Sequence, residues 1–106
     1  MKNSKRKRLQ AAGWRLGSAA DFLALSPEES VLVEIKLALA EAVRIRREKR
    51  GWTQAELARR LGSSQSRVAK MEAGDRTVTI DLLLHALVGL GATRKDLARV
   101  LSQRAA

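Results

Sequence analysis

The sequence predicts an all-α fold of five helices, preceded by a short N-terminal extension. Serine or threonine precedes each predicted helix as a capping residue, apolar residues recur at helical spacing, and glycines end three of the five helices. With 106 residues, 45% of them apolar, the chain can form one small domain and not two. We therefore divide it into an extension, residues 1–25, and a helical domain, residues 26–106.

The extension is strongly basic. Six positive charges and no negative one fall in residues 1–15, out of a formal net charge of +10 for the whole chain: Lys2, Lys5, Arg6, Lys7, Arg8 and Arg15. Such a run is typical of an electrostatic arm for phosphate or an acidic protein surface, or of a disordered terminus that only aids solubility. We expect the extension to be partly disordered. A secretory signal is not expected, because no apolar block follows the charges.

A long helix is predicted from Pro27 to about Lys49. Ser26 is its cap, proline takes the first position, and Glu29 completes a capping box. One apolar stripe with a wider margin is expected to be buried: Leu32, Ile35, Leu39, Ala42 and Val43, with Val31, Ala38 and Ile45 beside it. The helix ends in five basic residues, which complement its dipole or alternatively form a phosphate patch: Arg44, Arg46, Arg47, Lys49 and Arg50.

Two short helices follow between Thr53 and Gly74. Thr53 and Glu56 form the pattern of a capping box, Trp52 and Leu57 that of a hydrophobic staple, and Gly62 is suited to a tight turn. The first helix is expected to bury Ala55, Leu57, Ala58 and Leu61. The second is capped by Ser63 or Ser64 and turns Val68 and Met71 inward, which leaves Gln65, Ser66, Arg67 and Lys70 facing out. This arrangement is that of a helix-turn-helix, whose second helix enters a DNA major groove.

Two further helices complete the domain. After a polar connection, Asp75 to Val78, Thr79 caps a helix that contributes four leucines to the core and ends at Gly91: Leu83, Leu84, Leu87 and Leu90. A capping box of Thr93 and Asp96 begins the last helix. Its apolar edge of Leu97, Val100 and Leu101 either joins a twofold dimer or packs on the same chain.

The composition argues against several other classes of protein. There is no cysteine, so disulfides and thiolate metal sites are excluded, which fits a cytoplasmic location. The only histidine, His85, lies in an apolar helix without the partners of a catalytic triad, and we interpret it as a core or edge residue. No apolar region is long enough to span a membrane. We expect neither enzymatic activity nor a cofactor nor a metal.

From about Val43 to Leu90 the chain resembles the repressor-type helix-turn-helix superfamily, typified by phage repressors and Cro. The segments that carry this resemblance are TQAELA, the GSSQS turn and KMEAG. It implies a five-helix repressor-like helix-turn-helix domain, a structural ion pair between Arg47 and Glu72, and operator DNA as partner. In that family the first motif helix binds a phosphate through its glutamine and the second reads bases. The predicted DNA-contacting residues are Gln54, Ser64, Gln65, Ser66, Arg67, Lys70, Arg76 and Thr77.

The layout of the chain also resembles small bacterial antitoxins of the HigA type, which belong to the same superfamily. That resemblance implies a RelE/HigB-like ribonuclease toxin as a second partner, repression of the chain's own operon, and a homodimer. The residues expected to bind the toxin lie in the extension: Trp14, Leu16, Phe22, Leu23 and Leu25. Trp14 is equally suited to anchoring a core. Two other hypotheses stay open, a stand-alone repressor and a protein-interaction scaffold that does not bind DNA.

Overall fold

The structure is a computed structural model that describes residues 26–103. It contains five α-helices in that range: α1 (Pro27–Lys49), α2 (Gln54–Leu61), α3 (Gln65–Ala73), α4 (Ile80–Gly89) and α5 (Arg94–Ser102). The predicted all-α fold with its five helices is confirmed. The predictions for residues 1–25 lie outside the described residues.

Each helix begins at a serine or threonine whose side-chain oxygen accepts a hydrogen bond from a backbone N–H three residues later. The distances are 3.0 Å at Ser26, 3.1 Å at Thr53, 3.2 Å at Ser64, 3.1 Å at Thr79 and 3.2 Å at Thr93. Only the last of these is a complete capping box, with Asp96 accepting from the Thr93 N–H. The box predicted at Thr53 is half formed, because the Glu56 carboxylate instead pairs with the two arginines of α2.

The core lies where α1 crosses the other helices. α1 packs against α3, α4 and α5, and α2 packs against α3. The central cluster takes buried side chains from every element except α5: Leu39, Ala40, Val43, Leu57, Ala58, Val68, Met71, Val78, Leu83, Ala86, Leu87 and Leu90. Val68 and Met71 point inward as predicted, which turns the opposite face of α3 to solvent.

The buried face of α1 confirms part of the predicted stripe, since Leu39 and Val43 are buried and Ile35 and Ala42 pack against the core. Leu32 and Val31 are about half exposed, and Ile45 is 40% exposed, whereas Val33, Leu37 and Ala40 are buried. Gly74, at the end of α3, allows Leu37 to approach closely, since a Cβ atom there would lie only 2.9 Å from Leu37 Cδ2. A helix with apolar residues on several sides does not indicate which side will meet its neighbours.

Two smaller predictions are corrected, and a third is resolved in favour of one of its alternatives. Ala55 is exposed, because it lies about 200° around α2 from Leu57. Val78 is 4% exposed and belongs to the core, so the connection before α4 is not wholly polar. His85 is exposed, which fits an edge residue and not a core residue.

The last helix packs on its own chain. Leu97 and Val100 lie against the core, as the alternative to a dimer contact predicted, and Leu101 remains 48% exposed. Arg46 of α1 reaches the start of this helix, with its Nη2 atom 2.9 Å from Asp96 Oδ2.

Candidate nucleic-acid interface

The turn between α2 and α3 fixes the direction of α3. Gly62 takes the left-handed conformation, with φ of 65°, and the Ser63 N–H donates to the Ala58 carbonyl at 2.8 Å. Ser64 then caps α3 and hydrogen-bonds the Arg67 N–H. Because Val68 and Met71 are held in the core, the orientation of α3 about its own axis is fixed as well.

The outward side of α3 is polar and basic. Five of the predicted DNA-contacting residues are exposed there, and we call them the α3 face: Ser64, Gln65, Ser66, Arg67 and Lys70. The first turn of α3 contains no acid, and the one carboxylate of the helix, Glu72, is buried. The face therefore presents hydroxyl, amide and cationic groups beside the positive end of a helix dipole, a combination suited to base edges and phosphates.

The loop after α3 lies beside this face. Thr77 and the side chains of Ser64, Ser66, Arg67 and Lys70 line one surface groove of about 310 Å³. The structure thus brings together residues that the sequence analysis predicted in two separate segments. Arg76 is exposed in the same loop, and its carbonyl accepts a hydrogen bond from Lys36 Nζ at 3.3 Å.

Thr77 is more constrained than the sequence suggested. Its N–H and its hydroxyl both donate to Asp75 Oδ1, at 2.9 and 2.7 Å. These bonds hold the pKa of the Asp75 carboxyl below its ordinary value. A phosphate contact through a Thr77 donor would have to replace one of these two hydrogen bonds.

The structure forms the expected ion pair between Arg47 and Glu72. Arg47 Nε lies 2.6 Å from Glu72 Oε2, Arg47 Nη2 lies 3.0 Å from Glu72 Oε1, and Arg47 Nη1 donates to the Trp52 carbonyl at 2.7 Å. The two side chains are 13% and 4% exposed. The hydrogen bonds to Glu72 raise the pKa of Arg47. The pair joins α1 to α3 directly behind the α3 face.

Gln54 belongs to the same network. It is half-buried at the start of α2, and its Nε2 atom donates to Glu72 Oε1 at 3.2 Å. The contact fixes the side-chain amide of the residue that the family resemblance assigns to a phosphate. An amide has a second N–H, which this hydrogen bond leaves available.

Several contacts of the basic run at the end of α1 were missed by the sequence analysis. Arg50 Nη2 donates to the Leu90 carbonyl at 2.5 Å. The guanidinium groups of Arg50 and Arg60 lie over the Trp52 ring, 5.1 and 4.1 Å from its centroid. The interpretation of the basic run as a complement to the dipole of α1 is therefore incomplete, since Arg46, Arg47 and Arg50 each contact a residue outside α1. No local pattern predicts such contacts, because two of the partners lie 40 or more residues away along the chain.

Residues 26–103 contain no cluster of three or more histidine, cysteine, aspartate or glutamate side chains that could hold a metal ion. Within the same range no helix is long and apolar enough to cross a membrane. The predicted toxin-binding residues Trp14, Leu16, Phe22, Leu23 and Leu25 lie outside the described part of the chain.

Comparison with protein families gives a match to part of the chain. Residues 43–93, just under half of the chain, match the model of a helix-turn-helix family. These residues form a helix-turn-helix domain. The family is one of DNA-binding regulators, and the match supports both the repressor-type superfamily and a DNA-binding transcription regulator. Comparison with curated proteins and with solved structures finds no match.

Proposed function

We propose that this chain is a sequence-specific repressor that reads operator DNA through the α3 face and serves as the antitoxin of a toxin–antitoxin pair. The DNA-binding part rests on one observation, the α3 face itself. Its five exposed residues have no exposed acidic neighbour on α3, and the buried Arg47–Glu72 pair holds the helix in place behind them.

In this arrangement the residues divide into two roles. Gln65, Ser66 and Lys70 read base edges in the major groove, with Ser64 and Arg67 beside them. Gln54, Arg76 and Thr77 contact phosphates, which position the domain and carry no sequence information.

The DNA-binding proposal is tested by measuring affinity for the operator and for random DNA over a range of salt concentrations. Gln65→Ala is expected to cost about 1–3 kcal/mol on the operator and to relax base preference. Arg76→Ala should weaken binding to all sequences and lower the salt slope by about one. Arg94→Ala is the control, because this exposed arginine on α5 lies outside the α3 face. Equal losses on operator and random DNA for Gln65→Ala would contradict the base-reading role.

The antitoxin proposal rests on the layout of the chain. About 25 residues precede α1, and they carry large apolar side chains that a minimal DNA-binding domain does not require, including Trp14 and Phe22. We propose that they bind a RelE/HigB-like ribonuclease toxin and that the complex represses its own operon. Co-expression with the product of the adjacent gene is the test. Failure to co-purify with it would refute the proposal, and Trp14→Ala should weaken the complex while sparing DNA binding.

A stand-alone repressor is the alternative. It predicts that no toxin gene lies nearby and that removal of residues 1–25 leaves operator affinity unaltered. A scaffold without DNA binding is the third hypothesis, and salt-dependent, sequence-selective DNA binding would eliminate it. None of these proposals requires enzymatic activity.

We further propose that the protein acts in the cytoplasm as a homodimer. Leu101 of α5 is 48% exposed and provides an apolar contact for a second copy. A twofold dimer would place two α3 helices about 34 Å apart, one turn of DNA. Sedimentation of the free protein, together with insertion of half a helical turn between the operator half-sites, tests this arrangement. Binding that tolerates the insertion, or a monomer at all concentrations, would contradict it.

A further inference from the structure

The loop between α3 and α4, residues 74–79, carries an acid at the surface that the proposed function turns towards DNA. Besides the buried Glu72, Asp75 is the only acidic residue of α3 and this loop. It is half-buried and directly precedes Arg76, which we assign to a phosphate. A carboxylate beside that contact repels DNA through its charge. Long-range electrostatics therefore disfavours an acid at this position.

Four hydrogen bonds tie Asp75 to both ends of the loop. Its N–H donates to the Lys70 carbonyl of α3 at 3.0 Å, and its carbonyl accepts from the Val78 N–H at 3.0 Å. Its Oδ1 atom accepts from the N–H and the hydroxyl of Thr77, at 2.9 and 2.7 Å. Because Val78 is buried in the core, Asp75 connects the end of α3 to a fixed point of the domain.

Arg76 lies between the two residues that these side-chain bonds join. The bonds from Thr77 to Asp75 Oδ1 close a turn around it. From the side of α1, Lys36 Nζ donates to the Arg76 carbonyl at 3.3 Å. The position of the Arg76 backbone relative to α3 is therefore set by the Asp75 carboxylate together with α1.

The charge of Asp75 is partly offset within the domain. Hydrogen bonds from Thr77 hold the pKa of Asp75 below its ordinary value, and the charges of Lys70 and Lys36 lower it further. The carboxylate is thus ionised near neutral pH, and hydrogen bonds to an ionised acceptor are stronger than neutral ones. The same group therefore stabilises the loop strongly, while the two lysines reduce its repulsion of DNA.

We propose that Asp75 is a positioning residue for the phosphate contact of Arg76. It acts through the two hydrogen bonds that its carboxylate accepts, and it does not itself touch DNA. The inference deepens the proposed function and rests on it. It also gives a role to a residue that the sequence analysis placed only in a polar connection.

Asp75→Asn and Asp75→Ala separate hydrogen bonding from charge. Both changes remove the negative charge, but only asparagine keeps a side-chain oxygen that can accept from Thr77. The matched control is the same pair of changes at Asp81, an exposed acid in the first turn of α4 and outside the loop. Affinities of the full chain are measured over a range of salt concentrations, on a duplex that the wild type selects from a random-sequence pool and on an unselected duplex. Circular dichroism verifies that each variant folds.

Asp75→Ala should bind the selected duplex about tenfold more weakly than Asp75→Asn at about 0.1 M salt, because one phosphate contact contributes about 0.9 to the salt slope. The salt slope of Asp75→Ala should fall by about one, as for Arg76→Ala. In the Arg76→Ala background the difference between asparagine and alanine should disappear, since the contact that Asp75 positions is already absent. At Asp81 the two changes should have equal effects in both backgrounds.

Equal affinities for Asp75→Asn and Asp75→Ala would overturn the inference. A tenfold difference that persists in the Arg76→Ala background would overturn it too, because the effect would then not act through Arg76. Amide hydrogen exchange without DNA tests the loop alone: the Thr77 N–H should exchange about tenfold faster in Asp75→Ala than in Asp75→Asn, and equal exchange would contradict the positioning role. A wild type that selects no duplex would refute the proposed function and this inference with it, whereas a selective wild type with equal variants would refute the positioning role alone.

Discussion

The ion pair between Arg47 and Glu72 allows the sharpest test of how the α3 face is held. We consider Arg47→Met and Glu72→Leu, singly and combined. Each side chain is largely buried, at 13% and 4% exposure, and two hydrogen bonds of 2.6 and 3.0 Å join them. Removal of either partner leaves a buried charge without its counter-ion.

The expected cost follows from this burial. A broken buried pair destabilises a protein by about 3–5 kcal/mol, whereas replacement of both partners by apolar residues is neutral or stabilising by about 1–4 kcal/mol. The double variant also leaves the Trp52 carbonyl without the donor that Arg47 supplies, which costs about 1–3 kcal/mol. We therefore expect each single variant to be much less stable than the double variant, which should lie close to the wild type.

Urea unfolding followed by far-ultraviolet circular dichroism measures these differences near neutral pH. The matched control is Arg44→Met, which breaks pairs with Glu41 and Glu48 where Arg44 is 41% exposed, and should cost no more than about 1 kcal/mol. Single variants that cost as little as this control, or a double variant whose cost equals the sum of the singles, would refute the reasoning.

Three further predictions concern helix ends. Hydrogen bonds from Thr93 and the charge of Arg46 hold the pKa of Asp96 below its ordinary value, so its contribution to stability is present near neutral pH. The contribution is lost as the pH falls below the ordinary pKa of an aspartate, about 3.9, and through the lowered pKa of the folded state; Asp96→Asn should flatten this part of the stability curve. Gly62→Ala and Gly74→Ala both place alanine at a φ near +65°, but only at Gly74 would the new Cβ meet a core leucine, at 2.9 Å. Thermal unfolding should therefore show the larger loss of stability for Gly74→Ala. Equal losses of stability for the two variants would contradict this prediction. Ser64→Ala removes a helix cap and should lower the free energy of unfolding by about 1 kcal/mol. Ser63→Ala should leave the free energy of unfolding unchanged, because the buried Ser63 Oγ has no hydrogen-bond partner among the described residues. A lower denaturant midpoint for Ser63→Ala than for Ser64→Ala would contradict this prediction.

Much of the fold could be predicted because its signals are local. A serine or threonine cap accepts a hydrogen bond from the backbone N–H three residues later, so Ser26 and Thr53 each mark the start of a helix. Gly62, in the left-handed conformation, marks the end of the helix that begins after Thr53. Each signal can be recognised without knowledge of the rest of the molecule. The outward side of α3 can also be predicted from the local sequence, because the helical spacing of Val68 and Met71 identifies the side that faces inward.

The predictions that were wrong or incomplete concern contacts between segments that are distant along the chain. The buried side of α1 includes Leu37, which packs closely on Gly74, and a helix with apolar residues on several sides does not indicate which side will be buried. The contacts of Arg46 and Arg50 with the start and approach of α5 likewise depend on where the chain returns after 40 or more residues.

The five helices, the turn at Gly62 and the residues of the α3 face are predictable from the sequence alone, because each follows from spacing within a few residues. Three features depend on how the chain folds as a whole: Gln54 joins the expected Arg47–Glu72 pair, Thr77 lies in one groove with Arg67 and Lys70, and Leu32 remains half exposed. Packing is the reason. Which side chains meet across the core depends on how whole helices interlock, and that is a property of the assembled domain and not of any one segment.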